Sequence, residues 1–223
     1  MASTIRKQIR ALQAEFEERP ERLLRHVLRV VDEARELATC YDVDPERTEL
    51  ATWGHDLFRA HTPAQLLSLA HKHGVTVTPE DERTPVMLHG PIAAVVLGEE
   101  FGIRDDEVTA AVRDHTAGLE EMPIIAKILL IADKVEPRKR KRTPIMADIR
   151  RLARRDLDTA LLCWADWKWF TERGAGVEGY PQHWQARKAW VASHHAEIGL
   201  PARSEGEGEG EGEGEEDGTA TEA

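Results

Sequence analysis

His55 and Asp56 stand side by side where an apolar stretch, Leu50-Ala51-Thr52-Trp53-Gly54, comes to an end. Neutral imidazole suits divalent transition metals, and one carboxylate can touch two ions with its two oxygens. A single His-Asp pair carries little weight, because adjacent polar residues close many helices without binding anything. Four further residues of the same kinds add to it: His26 before the pair, His89 and His115 after it, and Asp133 within a strongly apolar run. Four histidines and two aspartates on separate segments could build a two-metal site. Two divalent ions about 3.5–4 Å apart can share a hydroxide at neutral pH and orient a phosphoryl group for in-line attack. The chemistry is hydrolysis of a phosphoric ester or anhydride, and a histidine-rich set favours iron, manganese, cobalt or zinc over magnesium.

Each residue alone also has a plain structural role open to it. His26 could be a core-edge histidine with one hydrogen bond. Asp133, costly to bury unpaired, could form a salt bridge to Lys134 or Arg138. His61, His71 and His73 are read as solvated surface histidines.

The elements that must position these groups are helical. Residues 3–19 carry Ile5, Ile9, Leu12 and Phe16 at helical spacing, and Pro20 separates them from a second helix over 21–39 with His26 beside its apolar stripe. Asp44-Pro45 starts a third, an acid at the N-cap followed by proline at the first position, which runs to His55-Asp56. Thr62-Pro63-Ala64-Gln65 is a capping box for a helix stopping at Gly74, and residues 75–84 read as loop. Val86 to Phe101 and Asp105 or Asp106 to His115 are two more helices. Ile124 to Ala132 is apolar nearly all round, as a central buried helix is. The basic run Arg138–Arg142 and the arginines 150, 151, 154 and 155 read as a solvated face, partly balanced by Asp148, Asp156 and Asp158. Five of six tryptophans fall in 157–192. Their spacing fits core packing or an oligomer surface better than nucleobase stacking, which would want a basic groove beside it. No strand stands out, and the expectation is an all-α chain.

Length and charge narrow the class. The 223 residues fit one domain plus a tail. Net charge is −11, but nine acidic residues follow Arg203, leaving the remainder near −2. No basic surplus marks a nucleic-acid binder. Only Cys40 and Cys163 occur, which suits a reducing cytoplasm, and neither a signal-peptide core nor a membrane-length apolar run is visible. The expected organisation is an N-terminal helix over 1–20, a main domain over 21–200 with a tryptophan-rich helical end at 157–195, and a disordered Glu-Gly tail over 201–223. A homodimer is one use of the tryptophan-rich end.

The order His26…His55-Asp56…His89…His115…Asp133 resembles the ligand pattern of the HD-domain metal-dependent phosphohydrolases. Trp53-Gly54-His55-Asp56, Leu88-His89-Gly90-Pro91, His115-Thr116-Ala117-Gly118 and Ala132-Asp133-Lys134-Val135-Glu136-Pro137-Arg138 look like the YqeK branch of that superfamily, the symmetrical bis(5'-nucleosyl)-tetraphosphatases. The resemblance covers roughly residues 21–195. It implies an HD-domain helical bundle with a central buried helix and a two-metal site. His26, His55, Asp56 and Asp133 would hold one ion and His89 and His115 the second, with Asp56 bridging and His55 and Asp56 as the catalytic pair. The implied metals are iron, with manganese or cobalt as alternatives. The implied reaction is cleavage of diadenosine tetraphosphate into two ADP by a metal-bound hydroxide, with Arg59, Thr116 and Arg138 near the phosphates.

Two departures stand out. Arg59 replaces the lysine usual three residues after the His-Asp pair, keeping the charge on a longer, forked donor. Glu120 and Glu121 follow His115-Thr116-Ala117-Gly118-Leu119, where two acids facing the site would weaken binding of an anion. Hydrolysis of another nucleotide by the same chemistry, or a non-catalytic nucleotide-binding regulator, are the competing readings. A cyclic dinucleotide phosphodiesterase fits less well, since Gly179-Tyr180-Pro181 lies beyond all the candidate ligands.

Overall fold

A computed structural model describes residues 4–197, and all regular structure in them is helical. In chain order the α-helices are α1 (Thr4–Glu17), α2 (Glu21–Cys40), α3 (Pro45–Gly54), α4 (Pro63–Lys72), α5 (Pro79–Arg83), α6 (His89–Glu99), α7 (Asp106–Asp114), α8 (Ile124–Val135), α9 (Pro137–Arg142), α10 (Ile145–Ala153), α11 (Leu157–Gly174) and α12 (Pro181–Glu197). A single 3-10 turn, Pro85–Leu88, leads into α6.

The sequence order of apolar residues accounts for the centre of the bundle. In α8, Ile125, Ala126, the run Ile128–Asp133 and Val135 are all buried, and α2, α3, α7, α10 and α11 pack around it. α1 closes one side by burying Ile9, Leu12 and Phe16, with the Phe16 ring edge-on to Trp53 at 5.7 Å. Of the tryptophans in α11 and α12, Trp164 is buried and Trp167 and Trp190 pack against the core. Core packing therefore involves these three, while Trp169 and Trp184 meet each other edge-on with ring centroids 4.7 Å apart.

Polar residues set the helix ends. Asp44 accepts from the N–H groups of Glu46 and Arg47 at the start of α3, a cap that contributes about 1 kcal/mol. Thr62 and Gln65 form the expected capping box of α4. Thr78 and Asp81 form a second one, so part of the segment read as loop over 75–84 is helix α5. The signal was present as Thr78-Pro79-Glu80-Asp81, and an aspartate in place of the usual glutamate or glutamine hid it. Asp105, rather than Asp106, caps α7.

Asp105 also does longer-range work. Its carboxylate takes both a 2.6 Å and a 2.8 Å hydrogen bond from the Arg47 guanidinium, tying the first turn of α3 to the start of α7. The two helices have ten and nine residues and are packed together. Pinned at one end and nearly equal in length, they end at the same level. The next residue on each is a histidine, His55 and His115. The Glu-Gly tail lies outside the described residues. No described helix is long and apolar enough to cross a membrane.

Candidate metal centre

Three of the four candidate histidines sit at helix C-caps, and that location determines which ring nitrogen is available. His55 caps α3, His89 caps the 3-10 turn and His115 caps α7. The last carbonyls of a helix lack intrahelical partners. In each ring Nδ1 meets the carbonyl three residues earlier: His55 with Thr52 at 2.6 Å, His115 with Val112 at 2.7 Å, and His89 with Val86. A carbonyl can only accept, so Nδ1 carries the proton, and a neutral ring then presents a bare lone pair at Nε2. Burial lowers the pKa of His55 and drives that of His115 well below its ordinary value, so both are neutral.

The lone pairs converge. Nε2 of His89 and Nε2 of His115 lie 3.0 Å apart, and Nε2 of His55 is fully buried without a hydrogen-bond partner. The His55 and His115 rings are 5.0 Å apart. Gly90 makes part of this approach possible. A Cβ there would fall 2.8 Å from the carbonyl oxygen of Arg113 and 2.9 Å from that of Val112, so only glycine lets α6 start against the end of α7.

Asp56 lies between two groups of imidazoles and turns one oxygen to each. Its Oδ2 is 3.6 Å from Nε2 of both His26 and His55. Its Oδ1 is 3.3 Å from Nε2 of His89 and 3.9 Å from that of His115. Among the described residues, the potential ligand atoms fall into two sets that share Asp56: His26, His55, Asp56 and Asp56, His89, His115.

Asp133 approaches the first set from α8, with Oδ1 3.1 Å from Nε2 of His26. Its oxygens are also paired with Lys134 at 2.6 Å and Lys139 at 2.5 Å. Of the two salt-bridge partners considered from sequence, Lys134 is present, while Lys139 takes the place of Arg138. Burial opposes the Asp133 charge, and the two lysines overcome it and hold its pKa well below the ordinary value.

One contributor was not singled out from the sequence. Glu136 is buried. It caps α9 by accepting from the Arg138 N–H at 2.8 Å, receives Arg29 at 2.6 Å, and lies 3.5 Å from Nδ1 of His26. Burial lowers the His26 pKa, but hydrogen bonds to Asp133 and Glu136 prevail and push it up to about 9. The same bonds, with Arg29, hold Glu136 down to about 2 against its own burial. An acid directly before proline, as in Asp44-Pro45, was the available signal for Glu136-Pro137.

His26, Asp56, His89, His115, Asp133 and Glu136 line a cavity of about 520 Å³, with His55 buried behind them. Arg59, Thr116 and Arg138 all line it, as do Arg22, Arg29, Lys134, Lys139 and Arg142. The arginine-lysine run after Pro137 is thus in part a wall of this cavity and not wholly a solvated face. Thr116 also places Oγ1 3.0 Å from Nε2 of His115. Glu120 and Glu121 line a different cavity with Asp156 and Asp158, so they are not the inward-facing acids that would repel an anion. His61 and His73 bond to Phe58 and Glu99 outside the site.

Converging imidazole nitrogens, an orphaned buried Nε2 and a carboxylate with oxygens toward both groups are a donor set that fits divalent metal. Hydrogen bonds fix the far nitrogen of each ring, as for histidines that ligate metals. The C-terminal ends of α3 and α7 add negative dipole ends to the same spot.

Fold and site together define an HD-type metal-dependent hydrolase centre, and a model of the HD domain matches residues 23–138. The chain belongs to the HD-domain family. It is 33% identical over 137 residues to the symmetrical bis(5'-nucleosyl)-tetraphosphatase of Staphylococcus aureus, covering 61% of this chain and 69% of that one. To the enzyme of that name from Bacillus subtilis it is 28% identical, covering 61% and 72%. The solved structure of an HD-superfamily hydrolase from Clostridium acetobutylicum, described as involved in NAD metabolism, superimposes with a TM-score of 0.77. That match has 26% identity over 82% of this chain and 96% of that one.

Proposed function

We propose that this protein hydrolyses diadenosine tetraphosphate and related symmetrical dinucleoside tetraphosphates to two nucleoside diphosphates. The observation that carries this reading is Asp56, with one oxygen toward His26 and His55 and the other toward His89 and His115, beneath a rim of cationic side chains. The names of the relatives point to the same substrate.

His26, His55, Asp56 and Asp133 would hold one divalent ion, and Asp56, His89 and His115 would hold the other. When bound, such ions supply an activated water and neutralise phosphoryl oxygens. An imidazole-rich set suits iron, with manganese or cobalt as substitutes. His55 and Asp56 anchor the reacting end of the site. Arg59 and Arg138 bind the phosphate chain, and the Thr116 hydroxyl orients a phosphoryl oxygen beside His115. Cleavage of the central anhydride places a water oxygen on one inner phosphorus and leaves the bridging oxygen on the other. Two ADP and, once both new terminal phosphates are ionised, two protons result. The exposed thiols of Cys40 and Cys163 suit a reducing compartment, and we assign the enzyme to the cytoplasm.

The test is to purify the protein anaerobically without chelators, count its metals and separate the nucleotides formed from diadenosine tetraphosphate. Two metals and ADP as the sole product support the reading. ATP plus AMP overturns symmetrical cleavage. No turnover after adding iron, manganese or cobalt overturns the catalytic assignment and favours a nucleotide-binding regulator.

A further inference from the structure

A second, smaller cavity of about 190 Å³ adjoins the metal centre. Lys134, Lys139 and Arg142 line both cavities, so they form a shared cationic wall. Beyond that wall the lining changes character, to Met146, Trp164 and Trp167. Both rings line the slot; Trp164 is buried, while Trp167 is half-buried and packs against the core. The Lys134 ammonium joins the two regions: it lies 2.6 Å from Asp133 Oδ2 and 5.5 Å from the centroid of the Trp164 ring.

Phosphates and a planar apolar ring, in that order, are what such a sequence of surfaces selects. Charged side chains alone would bind any polyphosphate, and an aromatic slot alone would bind any flat apolar group. Base stacking on aromatic side chains next to a cationic backbone groove is how nucleotides are held without base-specific hydrogen bonds. The objection raised by sequence, that no basic groove accompanies the tryptophans, does not hold in the fold. α8 and α9 bring Lys134, Lys139 and Arg142 against α11.

We infer that the slot between Trp164, Trp167 and Met146 is a nucleobase subsite, which stacks one base of a nucleotide whose phosphates lie along Lys134, Lys139 and Arg142. The inference deepens the tetraphosphatase reading and takes its substrate class from it. Stacking on an aromatic face is tolerant of base identity, so adenine and guanine nucleotides bind with similar strength. Trp167 acts here as a binding residue, with no part in the bond-breaking step.

The test is calorimetric titration of the manganese-loaded full chain with ADP and, separately, with inorganic pyrophosphate. In the unaltered protein ADP binds more tightly than pyrophosphate. Trp167→Ala weakens ADP about tenfold, within the range that base–aromatic stacking contributes, and leaves pyrophosphate unchanged. Trp167→Phe, which keeps a flat ring on the core, restores ADP binding to within a few-fold. Thr143→Leu, at another lining position, fills the slot and weakens ADP with all aromatic rings still in place. ADP binding no tighter than pyrophosphate, equal losses for both ligands in Trp167→Ala, or no loss in either substitution overturns the subsite. Turnover of diadenosine tetraphosphate is scored separately. An inert protein whose ADP binding depends on Trp167 supports the subsite and defeats the tetraphosphatase reading. An active one with unchanged ADP binding in both variants does the reverse.

Discussion

His89 and His115 face one another through Nε2 atoms 3.0 Å apart, and each has its Nδ1 committed to a backbone carbonyl. Two lone pairs at that distance repel unless a proton on one ring or a metal ion beside both relieves them, and a bound ion takes the place of that proton. His115→Ala and His89→Ala therefore each lower the metal content from two ions to one, measured on anaerobically purified protein. Loss of groups that merely support metal ligands costs about 10- to 100-fold, so removing either ring lowers turnover by more than about a hundredfold. A variant that keeps both ions and full activity would remove these residues from the site.

Gly90 controls the same approach from the backbone. In Gly90→Ala the new methyl group meets two carbonyl oxygens at 2.8 and 2.9 Å, and backbone atoms give way less readily than side chains. Thermal or urea unfolding should show a loss of about 1–3 kcal/mol, with weaker metal retention as α6 is pushed from α7. Gly98→Ala, also on α6, is the control. Its Cβ meets only the Ile103 carbonyl at 3.7 Å, and helix propensity favours alanine by about 0.5–1 kcal/mol.

Arg59 lines the cavity without being one of the clustered ligands. Arg59→Ala should leave metal content intact and raise KM for the tetraphosphate by about 10- to 100-fold, as expected for losing a hydrogen bond to a charged group. Arg59→Lys keeps the charge as a point donor and recovers most of that loss. Equal kinetics in all three proteins would mean that the phosphates pass elsewhere.

His183 makes stability depend on pH. It is buried between Trp164 and Trp184, with Nδ1 donating to the Ala117 carbonyl at 3.0 Å. Burial pushes its pKa down to about 4 from an ordinary 6.5. As pH falls through 6.5 the unfolded ring takes up a proton that the folded ring refuses until about pH 4. Stability is thus complete above pH 6.5 and is lost between 6.5 and 4, by about 3 kcal/mol from this group. In His183→Gln, which keeps a donor for Ala117, urea denaturation across that window should show a correspondingly smaller pH dependence. An unchanged slope would mean that His183 titrates normally.

The helices themselves were legible because their signals are local. Asp44-Pro45 and Thr62-Pro63-Ala64-Gln65 cap the helices that they announce, and the unbroken apolar run after Pro123 is the buried helix α8. The run Thr78 to Asp81 was missed because aspartate is a less familiar partner in a capping box than glutamate. Glu136 was missed because its importance lies in Arg29 and His26, a hundred or so positions away in the chain.

Sequence alone determined the all-α class, the six candidate ligands and the chemistry available to imidazole and carboxylate, since residue type and order carry that information. Only the tertiary structure decided how those groups are presented. The Arg47–Asp105 bridge brings the ends of α3 and α7 level, and the carbonyls there choose the histidine tautomers. It also decided that Glu120 and Glu121 face a separate cavity and that Lys134, Lys139 and Arg142 meet Trp164 and Trp167. Such relationships arise from packing between segments distant in sequence, and no local pattern of residues encodes the direction in which a side chain finally points.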